Sequence, residues 1–300
     1  MKKKLLLMFN PTSGKSQIKP ELWQIIDVFV KAGYDVTVYP TQKRLDAKET
    51  IQKRSSEFDV IVVCGGDGTL SESVQGIITL DKNDRTILGY IPAGSTNDFG
   101  RSLSIPFEPV KAAQCIADGT PMNCDCGLFG EKPFIYISAF GVFTDVSYET
   151  PQKFKNRFGH AAYVIEGMKR LKDYTYYHVK VESDEVVVED DFILGFVSNT
   201  TSIGGMKNRS EYEPLFNDGL FECLLIRKPS NPLDFQNILT ALITQDFDCP
   251  GLVKFTTRKV RFKSSEPIKW TTDGEDGGEH KDITVEVMPQ AYRILVKDPD

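Results

Sequence analysis

Residues 60–69 read VIVVCGGDGT, an apolar run followed at once by a glycine-rich turn. The run Val60–Cys64 is continuously apolar, as in parallel strands that are buried on both faces. The glycines let the backbone turn sharply and bring its N–H groups close to a ligand, and the helix start that follows favours an anionic phosphate. This stretch therefore predicts a buried parallel strand that ends in a nucleotide-binding turn.

Segments on either side of this strand alternate between strand-like and helix-like patterns. Strands are predicted at Lys4–Asn10, Tyr34–Tyr39, Val60–Cys64 and Ile87–Ile91. Helical patterns cover residues 22–30, 45–58, 70–78 and 110–117. The first helix is expected to end at Gly33, in a left-handed conformation. This β-α-β-α order predicts a parallel sheet that is covered by helices on both faces.

Beyond Asp125 the chain consists mainly of short strand-like runs separated by turn residues, which predicts an antiparallel β domain. Helical stretches are expected near residues 154–171 and 233–243. The predicted strands are Phe134–Phe140, His178–Val188 with a turn at Ser183 and Asp184, Phe192–Ser198, Leu220–Ile226, Val253–Phe262, Ile283–Val287 and Tyr292–Val296.

The fold class is therefore predicted as α/β, with two unlike domains. Residues 1–126 form an α/β nucleotide-binding domain with a parallel sheet, and residues 127–300 form an antiparallel β-sandwich. A return of the last strand, about residues 291–300, to the first domain is left open. Clefts between domains favour small-molecule sites, so the active site is expected in the interdomain cleft.

Composition excludes several classes of protein. The 300 residues include 36 basic and 42 acidic side chains, and the net charge of −6 argues against a general nucleic-acid binder. The apolar run near the start, Leu5–Phe9, is far shorter than the roughly 20 residues that cross a bilayer. Six cysteines without a CxxC pair indicate neither a disulfide framework nor a zinc site. A reducing, cytoplasmic compartment is expected.

Two further loops follow predicted strands. Residues 10–16, NPTSGKS, resemble the end of a P-loop, but the leading glycine of that motif would fall on Phe9. Lys15 could still neutralise phosphate, and an exposed turn with a solvated lysine is the alternative. Residues 92–100 read PAGSTNDFG and follow the next buried strand. All three loops are expected at the carboxyl edge of one sheet, where open α/β sheets bind ligands.

Two of these loops carry a carboxylate. An Asp inside a phosphate-binding loop repels the phosphate unless a divalent cation lies between them, so Asp67 is predicted to be a Mg²⁺ partner, directly or through water. Asp98 is expected to face the same pocket. The alternative for each is a structural helix cap.

These motifs, in this order and at this spacing, closely resemble the soluble bacterial diacylglycerol kinases, relatives of the sphingosine and ceramide kinases. The resemblance covers residues 2 to about 297 and rests on NPTSGK, GGDGT, GSTNDFG, CDCG (residues 124–127), NDG (217–219) and DGEDGG (273–278). It implies an N-terminal nucleotide domain, a C-terminal β-sandwich, often a homodimer, and transfer of the γ-phosphate of ATP to diacylglycerol, giving phosphatidic acid. GGDGT alone is shared with NAD kinases, and a non-catalytic nucleotide or lipid sensor is a third hypothesis.

The resemblance also implies roles for individual residues. Asp67, Asp98 and Asp125 match acidic positions that organise catalytic Mg²⁺ through water. Glu275 matches the proposed general base, Asp276 is an adjacent competitor, and an acidic solvated β-turn is the alternative for the whole loop. The implied ATP-binding residues are Asn10, Ser13, Gly14, Lys15, Thr41, Gly65, Gly66, Asp67, Gly68, Thr69, Gly94, Ser95, Thr96 and Asn97.

Residues 213–219, EPLFNDG, resemble the structural Mg²⁺ loop of the family. The implied ligands are Glu213, the carbonyl of Phe216, and Asp218 acting directly or through water. The family often has Asp where this chain has Glu213 and Asn217. A tight turn before a strand is the alternative explanation of these residues.

A basic stretch predicts how the protein reaches a lipid substrate. Each exposed Lys or Arg near an anionic leaflet contributes about 1 kcal/mol, so several together predict weak, peripheral and transient docking at the inner face of the membrane. A solvated helix face is the alternative. The residues are Lys153, Lys155, Arg157, Lys169, Arg170 and Lys172.

Overall fold

A computed structural model describes residues 2–13, 18–95, 97–141, 175–199, 202–203, 206–207, 216–244 and 246–297. The chain divides into two compact units. Unit 1 comprises Met1–Cys126 and Pro289–Asp300, and unit 2 comprises Gly127–Met288. The polypeptide therefore leaves unit 1 after Cys126 and returns to it at Pro289.

Strands and helices alternate from β1 to α4 in unit 1, and the first four strands pair in parallel. β1 pairs with β2 and β3, and β3 pairs with β4. The end of β15 (Glu275–Val296) also pairs in parallel with β4, through Ile294 and Leu88. The elements are β1 (Lys3–Phe9), α1 (Ile18–Lys31), β2 (Tyr34–Pro40), α2 (Asp46–Arg54), β3 (Val60–Gly65), α3 (Asp67–Ile78), β4 (Ile87–Pro92), α4 (Asp98–Ser102), α5 (Pro109–Asp118) and β5 (Thr120–Phe129), with 3₁₀ turns at Ser55–Glu57 and Lys82–Asp84.

Helix packing explains why the apolar strands of unit 1 are buried. Every residue of β3 is buried, and α1 packs against α5 while α2 packs against α3. α2 and α3 approach closely at Gly76 of α3, which has no side chain. A Cβ at this position would lie 3.0 Å from the side chain of Ile51 in α2. α1 is followed by Gly33 with φ +90°, as the sequence predicted.

Unit 2 is built mainly from antiparallel strands. Its elements, after the end of β5, are β6 (Lys132–Phe134), β7 (Ile137–Gly141), β8 (Tyr177–Ser183), β9 (Val187–Ser198), β10 (Ser202–Ile203), β11 (Met206–Lys207), β12 (Phe221–Arg227), α6 (Pro232–Thr244), β13 (Leu252–Thr257), β14 (Lys259–Thr272) and β15 as far as Met288.

Two long strands of unit 2, β9 and β14, share the same two partner strands. β9 and β14 each pair with β8 along their first part and with β7 along their second part. Aromatic side chains fill the space that these strands enclose. The indole of Trp270 lies 4.8 Å from the ring of Phe140 and 5.0 Å from that of Phe262, measured between centroids. This packing buries Trp270 completely.

Several strand predictions were wrong in extent. Phe134–Phe140 is divided between β6 and β7, and Val253–Phe262 is divided between β13 and β14. The second division is a tight turn in which the Thr257 hydroxyl donates to the carbonyl of Lys259 at 3.0 Å, and no Gly or Pro marks it. The predicted strands Ile283–Val287 and Tyr292–Val296 are parts of β15, which continues through the left-handed Gln290.

The turn predicted at Ser183 and Asp184 is confirmed, because the Ser183 hydroxyl accepts the amides of Glu185 and Val186. The helix expected near residues 154–171 lies outside the described residues. Within the part of the chain that the structure describes, no helix is long and apolar enough to cross a bilayer.

Candidate functional site

The loops that follow β1, β3 and β4 lie together at the carboxyl edge of these parallel strands. The amide of Asn10 donates to the carbonyl of Cys64 at 2.9 Å, and the amide of Ala93 donates to the carbonyl of Gly65 at 2.8 Å. The amide of Thr41, which follows β2, donates to the carbonyl of Phe9, the last residue of β1, at 2.9 Å. The hydrogen-bond ladder thus continues beyond the strands and keeps these loops adjacent.

Two of the loops touch through their backbones, at Gly66 and Gly94. A Cβ on Gly94 would lie 2.5 Å from the Cα of Gly66, and a Cβ on Gly66 would lie 3.2 Å from the Cα of Gly94. A backbone atom cannot move aside as the end of a flexible side chain can. A Cβ added to Gly68, in the first turn of α3, would meet no atom within 4 Å. The close approach therefore requires glycine at position 94, while space is open beside Gly68.

The side chain of Asn10 organises the first loop. Its Oδ1 accepts the amide of Thr12 at 3.0 Å and the Thr12 hydroxyl at 2.8 Å. Its Nδ2 donates to the hydroxyl of Thr69 in α3 at 3.4 Å. The backbone amide of Ser13 donates to the Asn10 carbonyl at 3.2 Å. Asn10 thus ties the first loop to the second.

The side chain of Asn97 braces the third loop from inside. Asn97 has φ 53° and is buried, its Oδ1 accepts the amide of Gly94 at 2.8 Å, and its Nδ2 donates to the carbonyl of Gly94 at 2.9 Å. The Tyr90 hydroxyl donates to the carbonyl of Gly65 at 3.2 Å and lies 3.4 Å from Oδ1 of Asn97. Asn97 therefore shapes the loop, whereas Ser95 is exposed. Three implied nucleotide-binding residues, Gly14, Lys15 and Thr96, lie outside the described residues.

Asp67 connects the second loop to the third. It is the first residue of α3, and Gly66 occupies the N-cap position. Its carboxylate accepts the amides of Asp98 at 3.1 Å and Phe99 at 3.4 Å. The Asp67 side chain thus caps the start of α4, so the helix-cap alternative describes these contacts.

Two carboxylates of these loops, those of Asp67 and Asp98, act on the buried hydroxyl of Tyr90. Burial raises the pKa of the Tyr90 hydroxyl, and the nearby carboxylates of Asp67 and Asp98 raise it further. Tyr90 therefore stays protonated at neutral pH and acts as a donor. Carboxylate oxygens are ligands that Mg²⁺ prefers, and one or two carboxylates commonly bind it together with substrate phosphates and water. Asp67 and Asp98 supply carboxylates of this kind, so they fit such an ion.

The described residues contain no group of three His, Cys, Asp or Glu side chains arranged to hold a metal ion without a substrate. Among the residues of the implied structural Mg²⁺ loop, Glu213 lies outside the described residues. Phe216 is buried, and the exposed Asp218 accepts the amide of Leu220 at 2.9 Å, next to Gly219 with φ 72°. These contacts form a tight turn before β12, and the cation site there stays a prediction.

Asp125 lies on β5 and is completely buried. Its Oδ1 accepts the amide of Gln290 at 2.7 Å, which links β5 to the part of β15 that belongs to unit 1. Burial raises the pKa of the neighbouring Cys124 thiol to about 12, so this thiol stays protonated. The described contact of Asp125 is structural, and its expected role near Mg²⁺ stays a prediction.

The acidic segment 273–278 belongs to a β-hairpin in unit 2. Asp273 and Gly274 have φ of 52° and 80° and join β14 to β15. Glu275 is exposed and pairs with Thr272, while the carbonyl of the exposed Asp276 accepts Lys132 Nζ at 2.6 Å. The solvated β-turn weighed as an alternative therefore describes the backbone of this segment, and the role of Glu275 as a base stays a prediction.

Sequence reasoning missed the role of Asp273. Its carboxylate accepts the amides of Ile135 at 2.9 Å, Tyr136 at 2.9 Å and Ile137 at 3.2 Å. An Asp-Gly pair between two strands is a strong hairpin signal and could have identified the turn. Nothing in the pattern identifies the amides that the Asp273 carboxylate binds, since they come from a segment more than 130 residues earlier. The basic stretch of residues 153–172 lies outside the described part of the chain.

Comparison with known proteins gives matches along almost the whole chain. Residues 4–129 match the model of the diacylglycerol kinase catalytic domain, and residues 139–296 match that of the YegS C-terminal NAD kinase beta sandwich-like domain. A diacylglycerol kinase of Bacillus subtilis is 34% identical over 279 residues, which cover 92% of this chain and 91% of that protein. A diacylglycerol kinase of Staphylococcus aureus is 35% identical over 280 residues, covering 93% of this chain and 88% of that protein.

Solved structures share the fold. The crystal structure of a diacylglycerol kinase from Bacillus anthracis aligns with a TM-score of 0.77 at 21% identity, covering 99% of this chain and 98% of that one. Another crystal structure from the same organism aligns with a TM-score of 0.83 at 24% identity, covering 99% and 96%. The catalytic-domain match and the identity to full-length relatives show that the chain belongs to the diacylglycerol kinase family of lipid kinases.

Proposed function

We propose that this lipid kinase transfers the γ-phosphate of ATP to the primary hydroxyl of diacylglycerol, giving phosphatidic acid and ADP, with Mg²⁺ as the metal. The observation that carries the nucleotide part is the backbone contact between Gly66 and Gly94, which joins two glycine-bearing loops at the carboxyl edge of a parallel sheet. Such edges and helix starts favour phosphate groups. The names of the full-length relatives support the acceptor.

The loops around Gly66 and Gly94 are proposed to bind the triphosphate through backbone N–H groups. The open space beside Gly68 leaves the first turn of α3 accessible, and the positive end of that helix favours an anion. Thr69 and Asn10 are held to each other by a hydrogen bond at this place. Lys15 is proposed to add the positive charge that the first loop otherwise lacks.

Asp67 and Asp98 are proposed to hold Mg²⁺ together with phosphate oxygens and water. When bound, the ion neutralises the charge that develops on the transferring phosphoryl group. The amides of Asp98 and Phe99 keep the Asp67 carboxylate in one orientation. Asp125 is proposed to extend this acidic group, as the family resemblance implies.

Glu275 is proposed as the general base. A lipid alcohol is a weak nucleophile near neutral pH, so a carboxylate has to accept its proton as the new bond forms. The hydroxyl oxygen forms a bond to the γ-phosphorus, the bond from the γ-phosphorus to the β,γ-bridging oxygen breaks, and ADP leaves. The exposed position of Glu275 at the start of β15 is compatible with access to such a proton.

A different acceptor is the second candidate. The C-terminal match is to a domain described as NAD kinase beta sandwich-like, and it covers more than half of the chain. This observation favours testing NAD, and also lipid alcohols other than diacylglycerol, as acceptors. The catalytic-domain match and the names of the relatives favour diacylglycerol among them.

A competition among acceptors tests the proposal. The purified protein is incubated with γ-labelled ATP, Mg²⁺ and, in separate reactions, diacylglycerol, ceramide and sphingosine in mixed micelles, or NAD. We expect labelled phosphatidic acid as the main product and its disappearance when a chelator removes the metal. Labelled NADP without any labelled lipid contradicts the proposal.

Peripheral docking at the inner face of a cytoplasmic membrane is proposed for access to the lipid, through the basic stretch of residues 153–172. Binding to vesicles that contain an anionic lipid is expected to be weak and to disappear when salt is added, because screening weakens surface electrostatics. Equal binding to neutral vesicles contradicts this mode. The homodimer that the resemblance implies is tested by light scattering of the purified protein.

A further inference from the structure

Asp273 occupies the first position of the two-residue turn between β14 and β15. Both turn residues, Asp273 and Gly274, have a positive φ, as type I′ hairpin turns require. Asn satisfies this requirement at least as well as Asp, because both tolerate the left-handed region. The turn alone therefore does not explain why position 273 carries a negative charge.

The carboxylate of Asp273 binds three backbone amides outside the turn. Its Oδ2 accepts the amide of Ile135 at 2.9 Å, and its Oδ1 accepts those of Tyr136 at 2.9 Å and Ile137 at 3.2 Å. The backbone amide of Asp273 in turn donates to the carbonyl of Ile137 at 2.8 Å. A carboxylate is an acceptor only, so all three contacts are favourable and charge-assisted.

These contacts fix the hairpin to the segment between β6 and β7. β14 pairs with β7 directly before the turn, where Thr272 lies opposite Ser138. Directly after the turn, Glu275 lies opposite Thr272 in the β14–β15 ladder. The backbone position of Glu275 is thus set two residues away from a carboxylate that is held by three amides.

We propose that Asp273 is a positioning residue, whose carboxylate holds the β14–β15 hairpin against residues 135–137 and thereby fixes Glu275 for proton transfer. This inference rests on the proposed function for the part that concerns Glu275. Asp273 does not itself take the proton. We call the three hydrogen bonds between the Asp273 carboxylate and the amides of residues 135–137 the clamp. Displacement of a reacting group by about 1 Å can lower a rate by about 100-fold, so loss of the clamp is expected to lower turnover.

The test compares D273N with wild type in the full-length protein. Asn keeps the left-handed turn but presents an NH₂ group to the amide of Ile135 or to those of Tyr136 and Ile137. We expect kcat for lipid phosphorylation to fall at least about 10-fold, while KM for ATP changes less than about twofold. D273G, which keeps the turn and adds no opposing donor, is the second variant if D273N folds poorly.

A matched control is D234N, which also removes a carboxylate that accepts a backbone amide, that of Ser230 at 3.2 Å, in the same unit. Its kcat is expected to stay within about twofold of wild type. The double variant D273N/E275Q separates positioning from a general loss of structure, because residues that act through one another are non-additive. We expect D273N to lower the residual rate of E275Q by less than about twofold.

Three kinetic outcomes overturn the inference: an unchanged kcat in D273N, the same fold loss in the E275Q and wild-type backgrounds, or an E275Q variant as active as wild type. Absence of any phosphorylated lipid with wild type instead means that the proposed function fails. Amide hydrogen exchange then decides about the clamp. Exchange at Ile135, Tyr136 and Ile137 is expected to be faster in D273N than in D234N, and unchanged exchange overturns the clamp.

Discussion

Position 94 requires glycine, because a Cβ at this position would point at the backbone of Gly66. In G94A the new Cβ would lie 2.5 Å from the Cα of Gly66, so the two loops must separate. Overpacking of this kind costs about 1–3 kcal/mol, and we expect a lower thermal unfolding midpoint and weaker ATP binding.

G68A is the matched control for G94A. The added methyl group meets no atom within 4 Å, and Ala is favoured over Gly in a helix by about 1 kcal/mol. Its unfolding midpoint is expected to equal or exceed that of wild type in the same calorimetric scan. A G94A midpoint as high as that of G68A would contradict the close backbone contact.

D67N tests the residue that joins the second and third loops. Asn keeps an oxygen for one of the amides of Asp98 and Phe99, presents its NH₂ group to the other, and removes the charge proposed to face the metal. Turnover is expected to fall by at least about 100-fold, the scale for losing one preorganised electrostatic group. Near-normal turnover in a single-turnover assay with saturating ATP refutes the assigned role.

At the residue scale, sequence reasoning found the right segments but not the partners of their side chains. The glycines and carboxylates of GGDGT and GSTNDFG were singled out because their residue types suit phosphate and metal. The contacts of Asp67 with α4 and of Asn97 with Gly94 were not predicted. Their partners are backbone groups, which every residue has, so the amino-acid sequence does not distinguish them.

At the element scale, β8 and β14 illustrate how charge supports strand pairing. Lys180 and Lys263 lie opposite each other across the two strands. The Glu182 carboxylate accepts a hydrogen bond from the Nζ atom of each lysine, at 2.7 Å in both cases. The hydrogen bonds from Lys180 and then Lys263 lower the pKa of Glu182 to about 2. The carboxylate thereby offsets a repulsion between like charges that face each other.

The lowered pKa of Glu182 predicts a pH dependence of stability. Its contribution is fully present above the usual pKa of 4.5 and is lost as the pH falls towards about 2, because the unfolded chain then binds the proton more tightly. We expect the urea midpoint of wild type to decrease over this range and that of E182Q to decrease less steeply. The Glu182 carboxylate is only partly buried, so added salt is expected to reduce the difference. Parallel curves for the two proteins contradict the prediction.

Elements with strong side-chain periodicity were predicted well, and those set by backbone pairing were not. The apolar runs of β3 and β4 and the helical spacing in α5 lie where the sequence predicted them. The turn between β13 and β14 contains no Gly or Pro, and Pro289–Gln290 resembles a turn although β15 passes through it. In both places the partner strand decides the conformation.

At the scale of the whole molecule, unit 1 depends on the last segment of the chain. Gln290 donates its amide to the buried Asp125, Arg85 Nη1 donates to the carbonyl of Ala291 at 2.6 Å, and Ile294 pairs with Leu88. A fragment of residues 1–126 lacks these contacts. Loss of one hydrogen bond to a charged group costs about 1.5–3 kcal/mol, and the exposed edge of β4 adds to this.

Fragment complementation tests this dependence. Residues 1–126 alone are expected to give no cooperative thermal transition by circular dichroism. Addition of a synthetic peptide of residues 287–297 is expected to restore one, and a peptide with Ile294 replaced by Asp is the control that fails to do so. Cooperative unfolding of the fragment without any peptide contradicts the expectation.

The path of the backbone has a consequence for exchanging parts between relatives. Gly127–Met288 is an insertion within unit 1, bounded by junctions inside β5 and inside β15. A chimaera made with a single crossover after Cys126 would take its final strand from the foreign parent, and that strand would have to complete a sheet it did not evolve with. Recombination that keeps the native strand needs two crossovers, so we expect laboratory shuffling libraries to yield folded double-crossover hybrids far more often than single-crossover ones.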